Sequence, residues 1–162
     1  MSKAEINRLC VGVDLHKTQF TVCALNEDGE YLLEKQYPTK EEGYTDFAEE
    51  MHNREEEGYA IELAVETTGN ARYFKNRMES EFFVVKVVNT NRFKVITMST
   101  KKTDANDAAT LAYYLMKEML PEAHLCSQTS EEIRRLLKTR SVLVQSMVKI
   151  KNQIHGMMLG YG

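Results

Sequence analysis

Four carboxylates stand where chemistry would need them. Asp14 lies inside an apolar, β-branched run, Cys10 to Leu25 (CVGVDLHKTQFTVCAL), where an ionised side chain is costly unless a cation or a partner compensates it. Glu66 closes a second apolar run, YAIELAVE, just before Thr67-Thr68-Gly69, a strand-end position at which open α/β sheets carry their sites. Asp104 and Asp107, in KKTDANDAA, are spaced i, i+3 and so share a face in the first turns of a helix, whose positive end helps keep both ionised. Converging carboxylates repel one another, and divalent cations hold such groups together. Two Mg2+ ions about 3.5–4 Å apart, bridged by carboxylate oxygens, activate a nucleophile and stabilise the leaving oxygen in phosphodiester displacement. Each residue also has an innocent reading: a strand-end Glu is usually solvated, an Asp pair at a helix start complements the dipole, and a strand Asp pairs with a lysine, here Lys17 or Lys86.

The elements that must carry these residues are legible from periodicity. The first alternating run is expected to continue through Lys17-Thr18 into a second, and Asn26-Glu27-Asp28-Gly29 turns the chain into a third, Tyr31 to Gln36; Asp-Gly between alternating runs is a strong hairpin signal. Tyr44, Phe47, Ala48 and Met51 mark one face of a helix over 41–57, stopped at Gly58. A strand over Tyr59 to Val65, a helix over Ala71 to Glu79 capped by Asn70, and a strand over Phe82 to Val88 form a parallel crossover unit. Asn89 to Lys102 reads as a short helix and a loop, and Thr103 opens a helix to about Met119, broken by Pro121. Ser130 is the expected N-cap of a last long helix reaching about His155. Pro121 to Thr129 is the linker candidate.

The net charge of −3 taken alone argues against a nucleic-acid binder, yet charge is unevenly placed. Residues 1–57 hold 14 acidic and 6 basic side chains, 72–102 hold 8 basic and 2 acidic, and 131–162 hold 6 basic and 2 acidic. Two basic zones beside an acidic one suit a polyanion groove around a metal-binding carboxylate cluster, although blocks of charge are commonly solvated faces. Lys101 and Lys102 are placed to hold a phosphate near Asp104. Cys10, Cys23 and Cys126 show no zinc spacing; Cys10 and Cys23 read as small core residues of a reducing compartment. The start MSKAEINRL has no apolar targeting segment, and no run approaches a membrane span.

A three-strand meander bearing Asp, a strand-end Glu and an Asp-x-x-Asp helix follow the order of parts in the RNase H-like, RuvC-type nuclease fold. The expected fold class is therefore α/β, a mixed sheet with an antiparallel meander first, flanking helices and a long C-terminal helix. VGVDLHK at 11–17, VETTGN at 65–70, VVNTNRFK at 87–94 and KKTDANDAATLAYYL at 101–115 resemble the DEDD transposases of the IS-one-ten and IS-eleven-eleven insertion-sequence family, over essentially the entire chain. The resemblance implies an N-terminal RuvC-like domain over 1–120 whose tetrad maps onto Asp14, Glu66, Asp104 and Asp107. It also implies Mg2+ or Mn2+, two ions, as cofactor, and DNA and a structured guide RNA as partners in a DNA recombinase. A cytoplasmic, nucleoid-associated protein of a prokaryote is expected. Lys17, Arg72, Lys75, Arg92, Lys94, Lys101 and Lys102 are the candidate nucleic-acid contacts. Two departures stand out. Thr90 replaces the Pro of many relatives, and relatives continue into a second domain with a catalytic serine where this chain stops at Gly162, so the isolated chain is expected not to complete recombination.

For His16, beside Asp14 in the sequence, a packing role or a polar contact is expected ahead of ligand duty. Thr67 and Thr68 either donate to phosphate or cap a turn, and Tyr113 and Tyr114 read as core and interface groups. In the last segment, 129–162, Ile133, Leu136, Arg140, Leu143, Met147, Ile150, Ile154 and Met157 alternate 3 and 4 apart, seven of the eight apolar. This seam suits a coiled coil joining a homodimer or higher oligomer. Two rival functions share parts of this evidence: a stand-alone RuvC-like junction-resolving nuclease, and a non-catalytic fragment that binds RNA and dimerises.

Overall fold

A computed structural model of the chain describes the backbone of residues 7–96 and 104–162 and the side chains of 7–93 and 107–162. Two compact units emerge, Met1–His124 and Leu125–Gly162. In the first, β1 (Asn7–Leu15), β2 (Gln19–Leu25), β3 (Tyr31–Pro38), β4 (Tyr59–Glu66) and β5 (Val84–Val88) form one sheet in the order β3-β2-β1-β4-β5. The β1–β2 and β2–β3 pairs are antiparallel, and β4 and β5 add in parallel. This is the expected RNase H-like arrangement. The Asp28-Gly29 turn forms as read: Gly29 has φ +82°, and Asn26 Oδ1 accepts the Asp28 and Glu30 N–H groups, the Asx chemistry that makes such a turn local.

Alternation along the strands sorts the helices onto two faces. Phe20 packs against Tyr37 and the rings of Tyr44, Phe47 and Phe74, with centroids 5.3 to 5.9 Å apart; α1 (Glu41–Glu56) and α2 (Ala71–Glu79) cover this face. On the opposite face Cys10, Ala64 and Val88 are buried with Phe93 of α3 (Thr90–Ile96) and with Leu111 and Leu115 of α4 (Asp104–Met116). Cys10 and Cys23 are buried free thiols, as their apolar neighbours in sequence suggest. Burial pushes the Cys10 thiol up and the Cys23 thiol up to about 11, which disfavours either as a nucleophile.

Several boundaries differ from the expectation, each for a local reason. The first strand does not run through Lys17-Thr18: β1 stops at Leu15, and the His16 N–H donates to Gln19 O at 3.0 Å across the turn. Phe82 and Phe83 precede β5. Phe82 adopts φ +68°, its N–H donates to Glu79 O and that of Phe83 to Met78 O, so the pair closes the end of α2 in a Schellman motif, whose left-handed position glycine usually takes. Glu118, at φ +56°, ends α4 in the same way, ahead of Met119. Asn70 occupies the N-cap of α2 without a side-chain cap bond, whereas Asn89 Oδ1 accepts from Arg92 N. Part of the linker candidate is held in place: Asn89 N donates to Pro121 O at 2.8 Å and Ala123 N to Val87 O at 2.7 Å, which covers the outer edge of β5.

In the second unit, α5 (Gln128–Leu159) is a single helix of 32 residues, capped by Ser127, whose side chain accepts from Ser130 N. The cap is thus Ser127 and not Ser130, which lies one turn inside. No α5 residue is buried, and all seven apolar seam positions are exposed.

Candidate carboxylate site at the strand ends

The site is built from strand register and one close helix contact. In the β1–β4 ladder Val13 stands opposite Val65, so Asp14 and Glu66, the next residues, follow as neighbours on parallel strands. Their side chains leave the same face of the sheet, the one that carries α4. Gly12 decides where α4 lies. A β-carbon at Gly12 would stand 2.9 Å from Leu111 Cβ and 2.5 Å from Ala112 N, and closer still to Ala108 O. The start of α4 therefore rests on the carboxyl-terminal half of β1. At its other end, Glu118, just past α4, accepts from Arg8 Nη1 at 2.9 Å, so α4 runs antiparallel to β1. Asp107 immediately precedes Ala108, and Asp104 opens the helix, which sets their turns toward the strand ends carrying Asp14 and Glu66. The glycine was the sequence signal for this contact, since glycine inside a strand often marks a close approach of backbone.

Side-chain detail fills in part of the picture. Asp14 is 14% exposed, and its Oδ2 stands 2.9 Å from His16 Nε2. His16 stands two residues after Asp14, a spacing that strand alternation sets on one face, and its ring lies against Asp14 although β1 ends at Leu15. The polar contact foreseen for His16 is thus made with Asp14 itself. Lys86, one of two cations the sequence offers to Asp14, bonds instead to Glu62 at 3.1 Å, and Glu62 also pairs with Arg8 at 3.3 Å. Burial raises the Glu62 carboxyl, but Lys86 and Arg8 outweigh it and hold that group below its ordinary range. Glu66 and Asp107 are half-buried.

Among the described residues, no group of three or more His, Cys, Asp or Glu side chains stands close enough to hold a metal ion; the side chain of Asp104 is not among them. Carboxylates without a counter-ion repel, which favours their separation. In donor chemistry the set fits a hard divalent cation: Asp14, Glu66 and Asp107 offer carboxylate oxygens on one face and at one end of the sheet, and such oxygens suit Mg2+ and Mn2+.

The basic candidates divide. Lys17 is exposed in the turn after β1, and Arg92 is exposed on α3, which follows the end of β5. Arg72 is half-buried in the first turn of α2. Lys75 serves the fold, since its Nζ donates to Val85 O at 3.0 Å and pairs with Glu79, tying α2 to β5. Lys101, Lys102 and the side chain of Lys94 lie outside the described residues. Thr67 turns out to serve the turn, because its Oγ1 donates to Val88 O at 2.6 Å. Tyr114 packs edge-on against Phe93, centroids 5.5 Å apart, while Tyr113 is exposed. Sequence reading missed Thr39, whose Oγ1 donates to His16 O at 3.0 Å; a threonine in a strand-to-helix loop gives no signal of a partner so distant in sequence.

One family model, that of the IS110 (IS-one-ten) DEDD transposases and described as a transposase, matches residues 11–162. No curated protein matches the chain. No helix among the described residues is long and apolar enough to cross a membrane.

Proposed function

Since the chain belongs to the IS110 DEDD transposase family, a family of DNA-recombining proteins, we propose that it is the catalytic RuvC-like part of a guide-RNA-directed recombinase. Asp14, Glu66, Asp104 and Asp107 would hold one or two Mg2+ or Mn2+ ions. Such ions polarise a phosphodiester and stabilise the leaving oxygen. The chain's own residues would bind and orient the nucleic acid: Lys17 and Arg92 as exposed cations at the strand-end edge, with Lys94, Lys101 and Lys102 continuing the basic zone. The α5 seam would pair copies of the protein.

The observation that carries this reading is the Gly12 contact with Ala108, Leu111 and Ala112. It seats the start of α4 on the carboxyl-terminal half of β1, which supports a reading in which Asp104 and Asp107 share a cation with Asp14 and Glu66. The test is Mg2+-dependent DNA cleavage and strand exchange with a structured RNA from the element's end, comparing the natural protein with Asp14→Asn. Undiminished activity in that variant would sink the tetrad reading. A stand-alone junction-resolving nuclease would instead cut branched DNA without any RNA.

A further inference from the structure

We propose that the polar face of α5 is a contact surface for duplex DNA, with Arg134, Lys138 and Lys149 holding phosphates on the two strands across the major groove. The inference goes beyond the metal reading above and does not depend on it. Its first basis is charge. Between Ile133 and Gly162 the sequence holds six lysine and arginine side chains and no aspartate or glutamate, although the chain as a whole has 24 acidic residues against 21 basic. Glu131 and Glu132 are the last carboxylates, and Arg135 Nη2 pairs with Glu131 at 2.7 Å. Lys138 and Lys149 are left with no carboxylate within a helical turn along α5. A solvated helix face ordinarily interleaves both signs. Here Arg134 and Lys138 are themselves i, i+4, a like-charge pair that costs a free helix stability and that a polyanion would relieve.

The second basis is geometry. Arg134, Lys138, Ser141, Gln145, Lys149 and Asn152 follow one another at spacings of 4, 3, 4, 4 and 3, so they form one stripe, about half a turn round the helix from the apolar seam through Leu143 and Ile150. All six are exposed. The stripe is therefore open whether α5 stands alone or is paired through its seam. In its middle the uncharged Ser141 and Gln145 separate two cationic ends. Lys138 and Lys149 stand about 16 Å apart along the axis at about 1.5 Å per residue, more than the opening of about 12 Å of the B-DNA major groove, which admits a helix. Laid on that opening, α5 sets the uncharged pair over the groove and its cations over the phosphate walls on either side. The major groove of an RNA duplex is deep and narrow, which makes DNA the better fit. Phosphate contacts carry no sequence information, so this surface holds DNA without choosing a site.

The experiment measures binding of the full chain to a labelled DNA duplex of arbitrary sequence, by fluorescence anisotropy across a KCl series, in EDTA so that no divalent cation takes part. Each phosphate contact contributes about 0.9 to the slope of log K against log salt. The double variant Lys138→Gln, Lys149→Gln is expected to bind more weakly and to lower that slope by about 1.8, with wild-type circular dichroism and sedimentation because the seam is untouched. Lys40→Gln with Lys117→Gln, two exposed lysines outside α5, removes the same charge and is expected to leave the slope near that of the wild type. An unchanged slope in the α5 variant, an equal fall in the control pair, or no DNA binding by the wild type overturns the assignment. So does tighter binding to an RNA duplex of the same sequence that the α5 substitutions weaken, which would make RNA the occupant. With metal absent, these results leave the carboxylate reading to its own test, the cleavage assay of Asp14→Asn.

Discussion

Gly12 lies directly beneath Ala108, with no room for a β-carbon between the strand and the helix. The hydrogen on its α-carbon is what lets α4 approach β1, and the approach directs Asp107 toward the carboxyl-terminal edge of the sheet. Gly12→Ala must push α4 outward or shift backbone, since the obstructing atoms include the Ala108 carbonyl and the Ala112 amide. Overpacking of this kind costs about 1–3 kcal/mol, occasionally more. Urea unfolding should record a loss in that range, and a neutral result would show that the helix is not seated as described.

Among the carboxylates, Asp14→Asn, Glu66→Gln and Asp107→Asn are each expected to leave the fold intact and to reduce Mg2+-dependent strand cleavage by roughly 100-fold or more, the scale on which removal of a single electrostatic stabiliser acts. Circular dichroism checks the fold and a cleavage assay the chemistry. Removing one of several mutually repelling charges should leave the melting temperature unchanged or raise it.

The two lysines should behave oppositely. Lys17→Ala, at an exposed turn, is expected to weaken nucleic-acid binding and lower the salt slope by about one with stability unaffected. Lys75→Ala removes the donor to Val85 O and the Glu79 partner, so its loss should appear as destabilisation, with the salt slope nearly unchanged. Fluorescence anisotropy across a salt series, beside melting curves, distinguishes them.

Along α5, charged substitutions at Leu143 and Ile150 are expected to dissociate self-associated protein, because an unpaired charge in an apolar seam is costly on both partners. The pairing should be antiparallel. A parallel pair would set Arg140 against its own copy and align Arg134, Arg135 and Lys138 with their copies, whereas an antiparallel pair at this seam sets Arg140 opposite Ile150. In a chain lacking Cys126, mixed Ile133→Cys and Met157→Cys proteins should then form a disulfide with each other. Self-cross-linking of Ile133→Cys would indicate the parallel arrangement, and a monomeric wild-type sedimentation coefficient would remove the seam as an interface.

Glu62 makes acid sensitivity testable. Its carboxyl is held below the ordinary range in the folded protein by Lys86 and Arg8, despite burial. A carboxyl depressed on folding contributes stability that is present above its unfolded pKa and is lost as pH falls through the folded value. Glu62→Gln should therefore be less stable than the wild type at neutral pH, and the difference should shrink on acidification. Unfolding curves between neutral and acid pH would show the two proteins converging; a constant gap would mean that the ion pairs contribute nothing.

What the sequence determined by itself was local. Alternation in VGVDL and YAIELAVE, the Asn-Glu-Asp-Gly turn and the apolar spacing of Tyr44 to Met51 each state their own element, because side-chain period and turn chemistry act over a few residues. The order of those elements was enough to indicate the mixed five-strand sheet, and the types and strand-end positions of Asp14 and Glu66 were readable there too. Tertiary structure decided the rest. That Asp14 and Glu66 follow as neighbours depends on the β1–β4 register, which places Val13 opposite Val65 from far along the chain. That α4 starts near them depends on a helix seating itself on Gly12. The turn carrying His16 is tied by Thr39, in a loop distant in sequence, and Phe82 left its strand because α2 needed a left-handed residue to stop. Such outcomes come from competition between elements for shared backbone partners and space, and no window of a few residues contains both competitors.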